Sequence, residues 1–325
     1  MGLRFGLRFD FRNPDLAGTS AADRYAAGLE MVEWADRRGC ISVTVSEHHA
    51  SSDGYLPSPL PMLAAMAART ENIRYMVAAL LAPFYDPIRL AEDMVVLDHL
   101  SRGRIDLIVG AGYVRSEFEM YGVPVGERAR RVTETVQVLK AAFGGEPFEY
   151  RGRTVRITPA PYRAGGPALM LGGSSEAAAR RAASIADGFL PTVPDVWPAY
   201  RDEVIRLGRP DPGPCPTGET ETVALAADPD AAWAEMGPFF LHENNAYARW
   251  LHDNDGAGPY VEVGGIEELR DSGRYRIVTA EQYVQELQAA PFPFAMFHPL
   301  CGGMPPEVAW RSLRLFEEEV LPAFA

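Results

Sequence analysis

The chain opens with a strict alternation of apolar and polar residues. Over positions 3–10, Leu, Phe, Leu and Phe alternate with Arg, Gly, Arg and Asp, which is the period-two pattern of a β-strand. Ser20 then predicts the N-cap of a long helix. A β-branched run, Val-Thr-Val at 43–45, follows and leads into an acid and two histidines, His48 and His49. The first part of the chain therefore predicts a strand, a helix and a second strand that ends in polar residues.

Strand and helix patterns continue to alternate along the chain. Further strands are predicted at 73–81, 105–109, 168–171, 188–191, 220–226 and 292–297, and further helices at 62–69, 87–100, 127–143, 176–186, 196–207 and 305–321. About eight β/α units with short connections imply parallel strands and right-handed crossovers. We therefore expect an α/β fold of the (β/α)8 TIM-barrel type, which needs ~250 residues. A doubly wound Rossmann sheet is the main alternative, but 9–19 lacks the Gly-x-Gly-x-x-Gly that would follow its first strand.

One interval, at about 209–278, breaks the alternation. It is rich in Pro, Gly and Asp, although 239–253 has a helical pattern. We predict a single domain over 1–325 in which this interval is an insertion near the seventh β/α unit. The loop at 50–61 and four side chains of this interval are the candidates for setting substrate choice: His242, Tyr247, Trp250 and Tyr260. At helical spacing, the aromatic residues are equally well explained as packing residues.

Composition narrows the classes of partner. The 325 residues carry a formal charge of −13, and such a surface repels nucleic acid and anionic lipid. The N-terminus lacks a signal-peptide pattern, and no apolar run approaches the ~18 residues of a membrane span. Cys40, Cys215 and Cys301 are far apart and form no Cys-x-x-Cys pair, which argues against disulfides or a thiolate metal site. We expect a cytoplasmic protein that binds neither nucleic acid nor membranes.

The second strand carries the first candidate for chemistry. Val43 and Val45 share its apolar face, while Thr44, Ser46 and His48 share the other. Barrel strands turn their apolar face to the helices, so His48 is expected to point into the barrel at its C-terminal end, where such folds hold their sites. His49 would point away, and the divergence of the two histidines leads us to predict no metal. From the residues alone, His48 is either a general acid or base or a structural histidine.

Small residues end several other strands. The segment 172–175, Gly-Gly-Ser-Ser, lies between a strand and a helix and suits either a phosphate or a simple N-cap. Gly110 and Gly112 allow close backbone approach to a flat ligand. Ala78 and Ala79 leave space at the end of the third strand. His298, after the last strand, is placed at the same mouth and either supports the rim or takes part in catalysis.

Several motifs together resemble the bacterial luciferase-like monooxygenase family. They are Ser-Glu-His-His at 46–49, Asp-Gly-Tyr-Leu-Pro-Ser-Pro at 53–59, Ala-Glu-Asp at 91–93, Leu-Asp-His-Leu-Ser-Arg-Gly-Arg at 97–104 and Gly-Gly-Ser-Ser at 172–175. The resemblance runs over 3–192 and resumes at 292–322. It implies a TIM barrel that uses reduced FMN or, in a sister branch, the deazaflavin F420, without a metal and as a homodimer.

The resemblance also implies roles for individual residues. His48 matches the catalytic histidine near the flavin C4a, which helps to form or break down a peroxyflavin. Ala78 and Ala79 match a non-prolyl cis peptide under the isoalloxazine ring. The phosphate-binding turn matches Ser174 with its neighbours Gly173 and Ser175, and we include the remaining strand-end residues as cofactor contacts: Gly110, Ala111, Gly112, Tyr113 and Gly172.

One departure from the family affects the cofactor. The luciferases have an Arg that holds the FMN phosphate where this chain has Ala111. The loss of a charge-assisted contact of ~1.5–3 kcal/mol weakens FMN binding unless Arg115 or another group replaces it. Flavin is then expected as a loosely held cosubstrate supplied by a separate reductase.

The leading function is a flavin-dependent monooxygenase that uses reduced FMN and O₂ to oxidise a small organic substrate through a C4a-peroxyflavin. An F420-dependent oxidoreductase that transfers hydride is the second interpretation. A non-catalytic flavin-binding protein of the same fold is the third.

Overall fold

Nine parallel strands form the main sheet of the protein, seen here in a computed structural model that describes residues 2–216 and 221–325. In chain order the strands are β1 (Arg4–Phe9), β2 (Ser42–Val45), β3 (Arg74–Leu81), β4 (Ile105–Gly110), β5 (Phe148–Tyr150), β6 (Arg153–Val155), β7 (Ala168–Gly173), β8 (Gly188–Pro191), β9 (Thr222–Leu225), β10 (Tyr275–Val278) and β11 (Phe294–Phe297). The sheet order is β10-β9-β11-β1-β2-β3-β4-β7-β8, while β5 and β6 form a separate antiparallel hairpin. The last strand thus pairs with the first, as in a (β/α)8 barrel.

The helices connect these strands. They are α1 (Ala21–Asp36), α2 (Pro59–Ala68), α3 (Pro87–Ser101), α4 (Arg115–Tyr121), α5 (Arg128–Phe143), α6 (Glu176–Ile185), α7 (Trp197–Arg206), α8 (Pro229–Asp253), α9 (Ile266–Asp271), α10 (Ala280–Ala289) and α11 (Pro306–Leu315). As predicted, Ser20 caps α1, because its side chain accepts a hydrogen bond from the backbone N–H of Asp23. Within the described ranges, every helix is too short or too polar to cross a bilayer.

Alternating side chains of β1 and β2 face either the helix–sheet core or the interior of the barrel. Phe5, on the outward face, packs edge-on against Trp34 of α1, and Val43 and Val45 are fully buried in the same core. The other face carries partly exposed polar side chains such as Thr44. Outward apolar side chains make the helix–sheet core, while inward polar ones line the barrel. The predicted orientation of these two strands is confirmed.

The predicted ends of β7 and of the last helix are wrong, whereas α6 begins at Glu176 as predicted. Gly172 and Gly173 belong to β7, because they continue its ladder with β8. The N-cap of α6 is Ser175, whose side chain accepts from the N–H of Ala178. The helix predicted at 305–321 is continuous only to Leu315, and a π-turn and a 3₁₀-turn follow. Pro322 lies within the 3₁₀-turn and has no N–H with which to continue α-helical hydrogen bonds.

The interval 209–278 contains more regular structure than its composition indicated. Strands β9 and β10 lie within it and belong to the main sheet. Asp228 caps α8 with a hydrogen bond from the N–H of Ala231, and the helix runs for 25 residues, beyond the piece predicted at 239–253. The single domain and the bounds of the insertion stay predictions. Thr220, the first residue of the strand predicted at 220–226, lies outside the described residues.

Candidate active site

His48 lies just beyond the end of β2 and is held by a carboxylate from α4. Its Nδ1 is 2.8 Å from Oε1 of Glu117, and the same oxygen accepts a 2.8 Å hydrogen bond from the backbone N–H of His49. Glu117 is fully buried and His48 is 8% exposed. Because a carboxylate only accepts hydrogen bonds, Nδ1 is the donor in this contact when Glu117 is ionised. The other ring nitrogen, Nε2, makes no hydrogen bond within the described part of the chain and is left for another partner.

Four aromatic side chains surround the His48 ring. Trp250 and Tyr247 come from α8, Tyr55 from the loop after β2 and Tyr113 from the loop after β4. The ring centres lie 4.3, 6.3, 5.0 and 5.7 Å, respectively, from that of His48. Two of the predicted substrate-setting residues, Tyr247 and Trp250, thus lie beside His48, while their effect on substrate choice stays a prediction.

Arg12 extends the inward-facing series of β1 beyond the strand and lies against three of these rings. Its guanidinium carbon is 4.6 Å from the ring centre of Tyr55, 4.7 Å from that of Tyr247 and 4.6 Å from that of Trp250. The faces of aromatic rings attract a cation, most strongly where water is excluded. Arg12 is fully buried, so it fixes the rings that cover His48.

Two carboxylates compensate the buried charge of Arg12. Its Nη1 donates to Oδ2 of Asp53, and its Nε is 3.2 Å from Oδ2 of Asp10. Burial opposes the charge, but Tyr247, Asp10 and Asp53 raise the pKa of Arg12 above its ordinary value. Burial alone would raise the pKa of Asp53; His242, 2.8 Å away, and Arg12 instead hold it well below the ordinary value. Because His242 is on α8, these contacts join that helix to the loop after β2.

His49 points away from His48, as predicted. Its Nε2 is 2.9 Å from Oε1 of Glu47, and its Nδ1 is 3.1 Å from the hydroxyl of Tyr121. Glu47 also accepts hydrogen bonds from the N–H of Leu81 and the hydroxyl of Tyr85. Every polar atom of this pair therefore has a structural partner.

His298 lies in a second cluster, which Asp10 connects to Arg12 and so to the rings around His48. It is 5% exposed, with Nδ1 3.3 Å from Oε1 of Glu243 and Nε2 3.5 Å from Oδ1 of Asp10. Burial opposes its charge, but Glu243 and Asp10 raise the pKa of His298. Burial would raise the pKa of Glu243, while His298 and Arg8 lower it. The predicted catalytic role of His298 stays a prediction.

Small residues at the ends of three strands lie side by side. The Ala78–Ala79 peptide bond is cis, in agreement with the expectation from the family resemblance. A Cβ atom added to Gly110 would lie 2.8 Å from Cβ of Ala79, and one added to Gly172 would lie 3.3 Å from Ile108 and 3.9 Å from Ala79. The structure thus brings four predicted cofactor residues together as a surface of backbone and methyl groups.

The segment after β4 contains no cation at the position of the luciferase Arg. Ala111 and Gly112 are partly exposed, and Tyr113 turns toward His48. Arg115, the suggested replacement, is exposed and its Nη2 is 2.9 Å from Oδ2 of Asp255, beyond the end of α8. Its charge is therefore already paired.

Ser174 and Ser175 lie exposed at the start of α6, beside Gly173 at the end of β7. Ser175 caps the helix, and the carbonyl of Gly173 accepts a 2.9 Å hydrogen bond from the N–H of Thr192. A side chain at Gly173 would meet Cβ of Ala178 at 2.6 Å. The hydroxyl groups and the positive end of the helix suit an anion.

Sequence reasoning missed Glu117 and Arg12. Arg8, Asp10 and Arg12 continue one alternating face, so the pattern of β1 carried a usable signal for Arg12. Glu117 carried none, because it is a single acid on a short helix and meets His48 only through the fold.

A comparison with family models finds a match to the luciferase-like monooxygenases over residues 3–285. A 4-hydroxyprotoasukamycin monooxygenase from Streptomyces nodosus is 33% identical over 139 residues, 40% of this chain and 38% of that protein. The oxygenase component of a flavin-dependent trigonelline monooxygenase from Acinetobacter baylyi is 29% identical over 130 residues, 39% of this chain and 36% of that protein. The matched segment spans less than half the length of these curated relatives.

Solved structures of the same fold cover nearly the whole chain. A monooxygenase from Streptomyces bottropensis superposes with a TM-score of 0.76 at 24% identity, over 99% of this chain and 100% of that one. The oxygenating constituent of 3,6-diketocamphane monooxygenase from Pseudomonas putida, in complex with FMN, gives 0.72 at 20% identity, over 100% and 99%. An F420-dependent secondary alcohol dehydrogenase gives 0.68 at 17% identity, over 100% of both chains. The fold is that of the luciferase-like TIM barrels, and the chain belongs to the luciferase-like monooxygenase family.

Proposed function

We propose that this protein is a flavin-dependent monooxygenase that uses reduced FMN and O₂ to oxidise a small organic substrate. The observation that carries the proposal is His48, whose Nδ1 is occupied by Glu117 while Nε2 remains available among aromatic rings. The family match and the monooxygenase relatives support an oxidoreductase. The relative named as an oxygenase component supports a separate flavin reductase as partner.

The residues present fit a flavin. The surface formed by Ala79, Gly110 and Gly172 suits a flat ring system, because none of the three has a side chain larger than a methyl group. Ser174 and Ser175, at the start of α6, suit its phosphate. Bound reduced flavin would supply the activation of O₂ at its C4a atom.

The protein's own contribution is to hold a proton and exclude water. Glu117 fixes the orientation and tautomer of His48, so that Nε2 can exchange a proton with a bound reactant. Tyr55, Tyr113 and Trp250 surround the His48 ring with aromatic surface. Such aromatic surroundings would exclude water from the reaction and suit an uncharged substrate face.

A binding titration tests the proposal. Oxidised and reduced FMN and F420 are titrated separately into the purified protein, and O₂ consumption is followed with each reduced cofactor. We expect tighter binding of reduced than oxidised FMN, and O₂ consumption with reduced FMN only. Tight binding of F420 without O₂ consumption would instead establish the hydride-transfer alternative. Binding of FMN with no acceleration of its reoxidation would establish the non-catalytic one.

One observation favours the F420 alternative. Ala111 removes the cation that holds the FMN phosphate in the luciferases, and Arg115 is paired with Asp255 instead. The F420-dependent dehydrogenase of the same fold shows that the barrel accommodates a deazaflavin in that protein.

The proposal also includes the cytoplasmic location expected from the composition and the homodimer implied by the family resemblance. A sedimentation experiment tests the dimer.

A further inference from the structure

The cluster around His298 contains a histidine without a hydrogen bond. Both ring nitrogens of His298 are buried, and neither is aligned for a hydrogen bond with any group in the described ranges. The neighbouring carboxylate oxygens of Glu243 and Asp10 lie at 3.3 and 3.5 Å, beyond the usual length. Buried polar atoms without partners are rare in folded proteins and require an explanation, such as an ion.

Three different donor types converge at this point. Nitrogen from His298, oxygen from Glu243 and sulfur from Cys301 lie within 4.8 Å of one another, and all three residues are buried. Thiolate, imidazole and carboxylate are the ligands that Zn²⁺ takes in proteins. We propose that Glu243, His298 and Cys301 bind a divalent transition-metal ion of the Zn²⁺ class.

The surroundings resemble the outer shell of such a site. Metal-bound histidines usually direct their second nitrogen at a carboxylate, and Nε2 of His298 faces Asp10. Glu243 is oriented in the same way, since Arg8 donates a 2.7 Å hydrogen bond to Oε1. Its other oxygen, Oε2, accepts the hydrogen bond of the Cys301 thiol and is the oxygen that faces the sulfur.

Charge balance allows the exchange of a proton for an ion. Arg8 and Arg12 already face Asp10 and Glu243, so a further divalent charge needs compensation. Cys301 offsets one unit of this charge, because a thiol loses its proton when it binds zinc. The ion then replaces the proton that Cys301 now shares with Glu243.

The ion would join α8 to the turn after β11. Glu243 lies on α8, and Tyr247 and Trp250 follow at four and seven positions, on the same face of the helix. These are the residues that cover His48. Metal binding would therefore stabilise the cover of the candidate active site, and this role does not depend on the identity of the cofactor.

Cobalt substitution tests the site directly. The full-length protein is freed of metal with a chelator and titrated with Zn²⁺ in equilibrium dialysis and with Co²⁺ in absorption spectroscopy. We expect one ion per chain and an intense near-ultraviolet band from thiolate bonded to cobalt. Cys301→Ala should lose the band and bind Zn²⁺ at least about tenfold more weakly. The matched control is Cys40→Ala, which removes another buried cysteine and should keep both.

The proposal is wrong if the wild-type protein binds no stoichiometric ion, if its cobalt complex lacks the thiolate band, or if Cys301→Ala binds as tightly as the wild type. Circular dichroism establishes that each variant is folded. Should Cys301→Ala fail to fold, Cys301→Ser replaces it, because a hydroxyl keeps the hydrogen bond to Glu243 while removing the sulfur.

Discussion

Two of the buried histidines that face a glutamate, His48 and His298, differ in their surroundings. His48 makes an aligned 2.8 Å contact with Glu117, and its second nitrogen lies among uncharged rings. His298 is not aligned with Glu243 and lies between two carboxylates, close to a thiol. The first arrangement suits proton exchange with a bound molecule, whereas the second suits a fixed charge or an ion. The difference shows that the elements around a histidine, more than its place after a strand, indicate its role.

The largest expected effect separates the two histidines. His48→Ala should lower kcat by about 10²–10⁴ with little change in the Kd of reduced FMN, since it removes a proton donor or acceptor. His298→Gln should change kcat less than about tenfold and lower the stability instead. Oxygen consumption measures kcat, flavin titration measures the Kd, and urea unfolding measures the stability. The control is His99→Ala, which changes an exposed histidine. Equal losses of kcat at both sites would remove the distinction and support the catalytic role predicted for His298.

Replacement of Arg12 should give the largest loss of stability. Arg12→Met leaves the carboxylates of Asp10 and Asp53 buried without their cation, which costs about 3–5 kcal/mol of unfolding free energy. The exposed Arg37→Met, which breaks only a surface pair with Glu33, should change it by less than about 1 kcal/mol. Urea unfolding at neutral pH compares the two variants, and similar values would contradict a buried charge network.

The same network makes the free energy of unfolding depend on pH. The pKa of Asp53 is lower in the folded than in the unfolded chain, where it is about 3.9. Its contribution is therefore present above about pH 4 and is lost as the pH falls through the lowered folded value. Urea unfolding is measured from neutral to acidic pH. At neutral pH, Asp53→Asn should have a lower free energy of unfolding than the wild type, and this difference should shrink as the pH falls. A constant difference would show that the charge of Asp53 is not involved.

A smaller effect is expected when Glu117 loses its charge. Glu117→Gln can still accept the hydrogen bond from the N–H of His49, so the fold should persist. The amide stabilises a protonated His48 less well, and kcat should fall by about ten- to a hundredfold. The pH dependence of kcat should shift along with this loss. A lower stability with unchanged kcat and pH profile would show that Glu117 is only structural.

The fold and the place of His48 in the site could be predicted from short-range sequence patterns. Alternation in β1 and β2 determined which side chains enter the barrel, and the motif around His48 identified the family. The partners of His48 could not be predicted, because Glu117 is 69 positions away and Trp250 comes from an interval without a recognised motif. The cluster of His298 is similar, since Cys301 meets Glu243 across 58 positions. Spacing reveals contacts within one element, but contacts between elements need the barrel.

The smallest expected effect concerns two serines that begin helices. Ser20 and Ser175 each accept one hydrogen bond from the first turn of their helix, so either change to Ala should cost about 1 kcal/mol of stability. Only Ser175 lies beside the small-residue surface that we assign to the flavin. Ser175→Ala should therefore also weaken the binding of FMN but not of riboflavin, which lacks the phosphate. Ser20→Ala should affect neither ligand. If Ser175→Ala weakened both equally, or neither, the start of α6 would be a helix cap only, and the phosphate would have to be held elsewhere.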